Sequence, residues 1–459
     1  MKIPAFIDSH LHFIGIGYYQ EIINLKNAKS IKDIKEALID NQAPVIFARG
    51  FNQENLIEKR MPNKSDFSDI EKPVVLVRVC GHVAVVNQAM LDYLKIDEFT
   101  KSVPGGNIDY NSGIFSEKAL SLIFEALPKP TLEDLKRYII TANKILLENG
   151  ITKVASDDFS TFDLPYEMVI KAFNEADQEG LLQVEVVEQV NLPYDRLQDF
   201  IKKGYANKKY HNFKMGPLKI LGDGSLGGKT AALISPYEND LNNYGILTYS
   251  DEELFDLVAL ASQNDMDSVI HAIGDRAALQ AINIISKAQR LFLRKSPHNA
   301  IIHAQILNKK LIQKMAENHI GAIVQPIFLN SDIPIIEERI GERYLESYLF
   351  KTMYNSINVG FSTDAPVDSV NPFYNLYSAI SRKSIKFNDL PAFLSEEAFT
   401  IKEALLAYNE NNFPYLYINE NLDYIEIDKD IYNCEIEDIK QIKVLKTYKA
   451  ANLVFERKN

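Results

Sequence analysis

Phe6-Ile7-Asp8-Ser9-His10-Leu11-His12 is the stretch on which the reading of this chain turns. Residues 3–12 predict one short apolar strand. Side chains two apart on a strand leave the same face. His10 and His12 therefore bring two imidazoles to one point at a strand end, which suits a divalent metal. Alternating histidines also occur without a ligand role, so the rest of the chain has to decide. His271 ends Val269-Ile270-His271, and His303 ends Ile301-Ile302-His303. Asp364 follows Gly360-Phe361-Ser362-Thr363, and Lys219 lies late in the run that holds Leu218 and Ile220.

These runs belong to a series. Strands are predicted at 151–156, 183–190, 213–221, 268–271, 300–303, 320–325 and 359–363. Between them lie helical segments: 132–149, stopped by Gly150; one opened by Ser250, Asp251 and Glu252; 277–289; and 309–318. With the opening strand this makes eight strands joined by helix-length connections, the pattern of a (β/α)8 barrel in the α/β class; a doubly wound open sheet is the alternative. Each candidate ligand ends its strand at the rim where such barrels place their chemistry.

Two regions break the rhythm. Residues 30–127 hold their own strand-like runs, at 44–49 and 73–80, and a Pro104-Gly105-Gly106-Asn107 turn. They read as an inserted α/β subdomain over the barrel mouth, leaving 1–29 and 128–412 for the barrel. Residues 413–459, with strand-like 422–427 and 450–455 flanking 440–446, read as a small β appendage.

Composition excludes several classes. The 459 residues are 46% hydrophobic and 24% charged, enough for a large core. A net charge of -12 argues against nucleic acid or an anionic membrane as partner. Cys80 and Cys434 make no disulfide framework, and a reduced compartment follows. No apolar run is long enough to span a bilayer and no signal-peptide succession opens the chain, so a cytoplasmic protein is expected.

Taken together, the motifs resemble the amidohydrolase superfamily, and within it the amidohydrolase-3 (YtcJ-like) metal-dependent hydrolases. The resemblance covers nearly the whole chain. It rests on the opening run, on Arg78-Val79-Cys80-Gly81-His82, and on Lys219-Ile220-Leu221-Gly222-Asp223-Gly224-Ser225-Leu226-Gly227 with Thr230-Ala231-Ala232-Leu233. It continues through His271-Ala272-Ile273-Gly274-Asp275-Arg276-Ala277, His303-Ala304-Gln305 and Ser362-Thr363-Asp364-Ala365-Pro366. The resemblance implies a distorted barrel with a small β-sandwich and one or two divalent ions, zinc first among the candidates and iron or manganese left open. It implies that His10, His12 and Asp364 hold one ion and His271 and His303 a second. Lys219 matches the position of a carboxylated bridging lysine. Asp364 and His303 become the catalytic residues, and His82, Asp223, Ser225 and Asp275 the substrate contacts. The chain departs from the family by starting at the first barrel strand, with Pro4-Ala5-Phe6 where Pro-Gly-Phe is usual. A sandwich shortened in this way is completed by another subunit, as in a homodimer, or leaves an exposed edge strand.

Plainer readings stand beside these. Residues 222–230 resemble a phosphate loop, but that motif needs glycine where Asp223 stands. Ser225 and Thr230 can simply close turns, Asp275 can cap a helix, His82 can be a core histidine, and Lys219 can be a salt-bridged lysine. The ligand chemistry points to hydrolysis. A divalent ion lowers the pKa of its water to about 7, the resulting hydroxide attacks a carbonyl, and Asp364 shuttles the proton to the leaving group. A nitrogen leaving group fits that shuttle, so a non-peptide amide, N-substituted amide or formamide is the expected small-molecule substrate. A metal-dependent isomerase or lyase, or an inactive metal-binding relative, are the alternatives.

Overall fold

The computed structural model describes residues 1–458 apart from 79–82, 102, 104–105, 118, 163, 388, 410–412, 414–415 and 417–421. The chain forms two compact units, Met1–Gly17 with Thr131–Asn459, and Tyr18–Pro130.

The larger unit holds an eight-stranded parallel sheet. Its strands are β1 (Phe6–Leu11), β2 (Ile151–Ser156), β3 (Glu185–Val190), β4 (Phe213–Leu221), β5 (Ser268–Ala272), β6 (Ala300–His303), β7 (Gly321–Val324) and β8 (Val359–Phe361). They neighbour one another in chain order from β1 to β8. The seam between β8 and β1 is bridged by a side chain as well as backbone. The Asp8 carboxylate accepts from Thr363 N at 3.1 Å and Thr363 Oγ1 at 2.5 Å, while Asp364 N donates to the His10 carbonyl at 3.0 Å. The sheet is thereby a nearly closed, distorted (β/α)8 barrel.

Helices α1 (Leu132–Glu148), α2 (Tyr166–Gln178), α3 (Tyr194–Lys202), α4 (Asp251–Gln263), α5 (Asp275–Leu291) and α6 (Lys309–Glu317) connect successive strands. Their boundaries are written locally. Thr131 with Asp134, and Ser250 with Glu253, form capping boxes that satisfy the first free amides of α1 and α4. Gly150 ends α1 at φ +75°, and a Cβ there would stand 2.9 Å from Ile425 Cγ2. Glycine therefore serves both the backbone turn and the close approach of the C-terminal sheet. Inside the barrel Val269, Ala300, Ile302 and Ile323 pack together with Phe413. The break expected at 413 thus falls on a residue that belongs to the barrel core.

Residues 3–12 do not form the single strand expected. Lys2–Pro4 pairs antiparallel with Tyr424–Ile427, in a four-stranded sheet completed by Val444–Lys449 and Asn452–Glu456. Ala5 N then bonds the Asp423 carbonyl and Phe6 N the Gly150 carbonyl, so the chain passes from one sheet to the other between adjacent residues. An apolar run is compatible with either sheet, and only the partners divide it.

In the smaller unit a six-stranded mixed sheet runs Ile23–Asn24, Ile46–Phe51, Val74–Arg78, Val83–Val86, Ile114–Glu117, Gly106–Asp109. One face buries Ile34, Leu38, Phe51, Phe67 and Leu76, the other Val75, Met90, Leu91, Phe115 and Ile123. Val74–Arg78 replaces the longer strand expected at 73–80, of which 79 and 80 lie outside the described residues. Among the described residues no helix is long and apolar enough to cross a membrane.

Candidate metal centre

His10 and His12 leave the end of β1 on one face, as their spacing requires. Their Nε2 atoms lie 3.4 and 3.2 Å from one oxygen, Asp364 Oδ1. These three residues form the one group among the described residues in which three such ligands converge. Each imidazole is oriented from behind. The His10 Nδ1–H donates to Gln189 Oε1 at 2.6 Å, and the Gln189 amide is itself fixed by donating to the Ser9 carbonyl. The His12 Nδ1–H donates to the Asp157 carbonyl at 2.8 Å. With Nδ1–H committed in this way, Nε2 is the nitrogen that each ring turns toward Asp364 and the one available to an ion once deprotonated.

His271 and His303 stand beside this group, their ring centroids 4.3 Å apart and His303 6.0 Å from His10. His303 Nδ1–H donates to Gln325 Oε1 at 2.8 Å, and Gln325 Nε2 donates to Ser362 Oγ at 2.7 Å. His303 thus also presents Nε2. The His271 ring is turned the other way. Its Nε2–H donates to the Gly224 carbonyl at 3.1 Å, which frees Nδ1. His303 and Asp364 both hold left-handed backbone, at φ +74° and +55°. Such strain in non-glycine residues collects where a site over-determines the chain.

Lys219 is 3% exposed on the inner face of β4. Burial lowers its pKa below the ordinary lysine value, opposed by the charges of Asp157 and Asp364. The same lysine, after burial itself, holds the His10 imidazole well below its usual value. Burial and then His271 and Lys219 do the same to His303. Burial pulls His12 down as well, but Asp364 and Asp157 outweigh it and carry it up to about 9.

These residues fit a divalent cation. Asp364 Oδ1 is buried and accepts no hydrogen bond from the described residues. An oxygen in that position, faced by two imidazole Nε2 atoms, needs a positive charge between them. The nitrogen and oxygen donors are those zinc accepts, and iron or manganese also tolerates them.

The other predicted contacts lie differently. Asp223 is buried and accepts from Ile273 N (3.0 Å), Gly274 N (2.8 Å) and Ala232 N (2.9 Å), so both oxygens hold backbone beside His271. Ser225 is exposed; its Oγ accepts from Gly228 N, and Thr230 Oγ1 accepts from Ser225 N, closing a turn. Asp275 opens α5 and accepts from Ile234 N at 2.8 Å. Asp223, Ser225 and Asp275 thus each hold a loop through backbone bonds, and Asp223 Oδ1 also stands 3.4 Å from His271 Nε2. His82 lies outside the described residues. Gln189, Gln325 and the Asp157 carbonyl were absent from the sequence reading. Gln189 on the buried strand β3 and Gln325 just past the end of β7 were the available signal.

The Amidohydrolase family profile matches residues 1–413. YtcJ of Bacillus subtilis (strain 168), a candidate amidohydrolase by its name, is 28% identical over 485 residues, covering 99% of this chain and 89% of that protein. The N-substituted formamide deformylase of Arthrobacter pascens is 21% identical over 494 residues, covering 99% of this chain and 88% of that one. A solved metal-dependent hydrolase of Pyrococcus horikoshii OT3, itself uncharacterized, superposes with a TM-score of 0.81 at 28% identity, covering 95% of this chain and 87% of that one. The chain belongs to the amidohydrolase family and is a metal-dependent hydrolase.

Proposed function

We propose that this hydrolase cleaves a non-peptide carbon–nitrogen bond, in an N-substituted amide or formamide. The observation that carries the reading is the buried, unbonded Asp364 Oδ1 between the Nε2 atoms of His10 and His12. The name of the Arthrobacter pascens relative supplies the formamide class.

His10, His12 and Asp364 would hold one ion, and His271 through Nδ1 with His303 through Nε2 a second, with zinc the proposed metal. When bound, such an ion polarises a carbonyl and makes water acidic enough to serve as nucleophile at neutral pH. The chain's own residues do the rest. Gln189, Gln325 and the Asp157 carbonyl hold three imidazoles in one tautomer. Asp364 Oδ2 takes the proton of the attacking water and returns it to the nitrogen leaving group, which departs as the neutral amine. Lys219, buried with its pKa lowered, would take up carbon dioxide on its neutral Nζ to form a carbamate, releasing a proton, and that carboxylate would serve both ion sites.

The test is metal analysis together with a panel of N-substituted formamides, amides, esters and lactams in oxygen-labelled water. Metal-dependent release of amine, with one labelled oxygen in the acid product, is the expected result. A metal-replete protein inert across the panel, or product without label, overturns it. For Lys219, Lys219→Ala should lose one metal equivalent and regain part of it with short carboxylic acids, while Lys219→Arg should not; full metal content in Lys219→Ala rejects the bridge.

A further inference from the structure

We propose that Glu188 is a positioning residue for the metal centre: it grips the peptide unit whose carbonyl orients His12. Glu188 lies on β3 next to Gln189. Gln189 faces the barrel interior and holds His10, so by strand alternation Glu188 faces the outer side of the barrel wall, where it is fully buried. It stands in register with Ser156 at the end of β2. Its Oε1 accepts from Asp158 N at 3.1 Å and from Phe159 N at 3.2 Å.

The Asp158 N–H and the Asp157 carbonyl belong to one planar peptide group, and they point in opposite directions. Glu188 holds that group by its N–H on the outer side. His12 Nδ1–H meets its carbonyl at 2.8 Å. Rotation of this one peptide would turn the acceptor away from His12 and free the ring. Neighbouring contacts stitch the same corner. Asp157 N donates to the Leu11 carbonyl, Phe13 N to Ser156 Oγ, and Ile14 N to Asp158 Oδ1 at 2.7 Å. Those bonds hold the two loops together, but none of them reaches the Asp157–Asp158 peptide N–H.

The grip works with a neutral acid. Glu188 Oε2 is buried and meets no partner among the described residues. Burial, then the charges of Asp158 and Asp157, push the Glu188 carboxyl well above its ordinary range. One carbonyl-type oxygen is all the two amides require, so an uncharged amide of the same shape can replace the acid.

This inference rests on the metal-centre reading, and the experiment separates the two. Zinc is titrated into metal-free protein, and the Nδ1–H resonances of His12 and His303 are followed in the same protein labelled at histidine. Glu188→Asp withdraws the grip by one methylene, and Glu188→Ala removes it; the milder variant keeps the test open if the other does not fold. Both should lose at least tenfold in affinity for the ion held by His10, His12 and Asp364, the usual range for a group behind a ligand. In both the His12 Nδ1–H resonance should weaken by exchange with water while that of His303, held by Gln325, stays. Glu188→Gln should restore affinity to within about threefold. A His12 resonance unchanged in Glu188→Asp, or His12 and His303 lost together, overturns the positioning role. Wild-type protein that binds no zinc overturns the metal centre instead, and the resonances still decide the role of Glu188.

Discussion

A carboxylate oxygen faced by two imidazole nitrogens is stable only with a cation or a proton among them, and this sets what single residues are expected to do. Replacing His10 and His12 together with alanine removes two of the three ligands that converge on one point. Metal content measured after dialysis should fall by at least one equivalent, and unchanged content would refute the ligand assignment. Asp364→Asn keeps an oxygen ligand and the shape but not the basicity. That variant should retain metal and bind substrate within about tenfold of normal while losing roughly 100-fold or more in turnover, the scale of acid–base groups. Single-turnover assays on samples of known metal content decide it; near-normal turnover would place the proton elsewhere. At this scale much was legible in advance. His10, His12 and Asp364 ended apolar runs, and ending a strand at the barrel rim is enough to bring residues together. Gln189 and Gln325 were not legible, because a glutamine gives no sign of its partner until two strands are side by side.

Elements explain how the ligands are aimed. Along β5 and β6, Val269 pairs with Ala300 and His271 with Ile302, and Val269, Ala300 and Ile302 pack in the barrel interior. By alternation His303 should then face outward. The left-handed backbone at His303 and Ala304, φ +74° and +47°, reverses the alternation and brings the ring 4.3 Å from His271. The loop that follows β5 is fitted as closely. Gly274 donates its N–H to Asp223, and a Cβ on it would stand 2.0 Å from the Ala232 carbonyl oxygen. Gly274→Ala should therefore displace the segment that carries Ala231 and Ala232 and cost about 1–3 kcal/mol, as overpacking does. Thermal unfolding would register it, and an unchanged midpoint would show that the loop yields freely.

For the whole molecule, the buried ionisable groups predict how the metal-free protein responds to pH. Burial raises both Asp8 and Asp158 to about 7, and it pushes Glu188 well above the ordinary carboxylate range. Above the ordinary carboxylate range the folded state keeps protons that the unfolded chain has released, so stability falls as pH rises toward those values. His12, raised to about 9 by Asp364 and Asp157 against the pull of burial, contributes stability below the ordinary imidazole value and loses it as pH rises through about 9. Buried His10 and His303, lowered well below that value, act with opposite sign but only in more acid solution. Buried Lys219, lowered below the ordinary lysine value, acts with the opposite sign in alkaline solution, so the contribution of His12 is read by difference. From pH 7 to pH 9 the metal-free wild-type midpoint should fall relative to that of His12→Gln, and saturating zinc should flatten the difference by replacing the His12 proton. Parallel midpoints in the two proteins over that interval would contradict the assignment. By itself the sequence determined the eight-strand series, the capped helices between its members and the rim placement of the ligands. Period, caps and strand ends are local properties, and a few residues suffice to write them. Tertiary structure alone decided that residues 2–4 leave the first barrel strand for another sheet, that His303 turns inward, and that Asp223 and Asp275 hold backbone. Each of these depends on a hydrogen-bond partner or a packed neighbour distant in the chain, which neither composition nor spacing encodes.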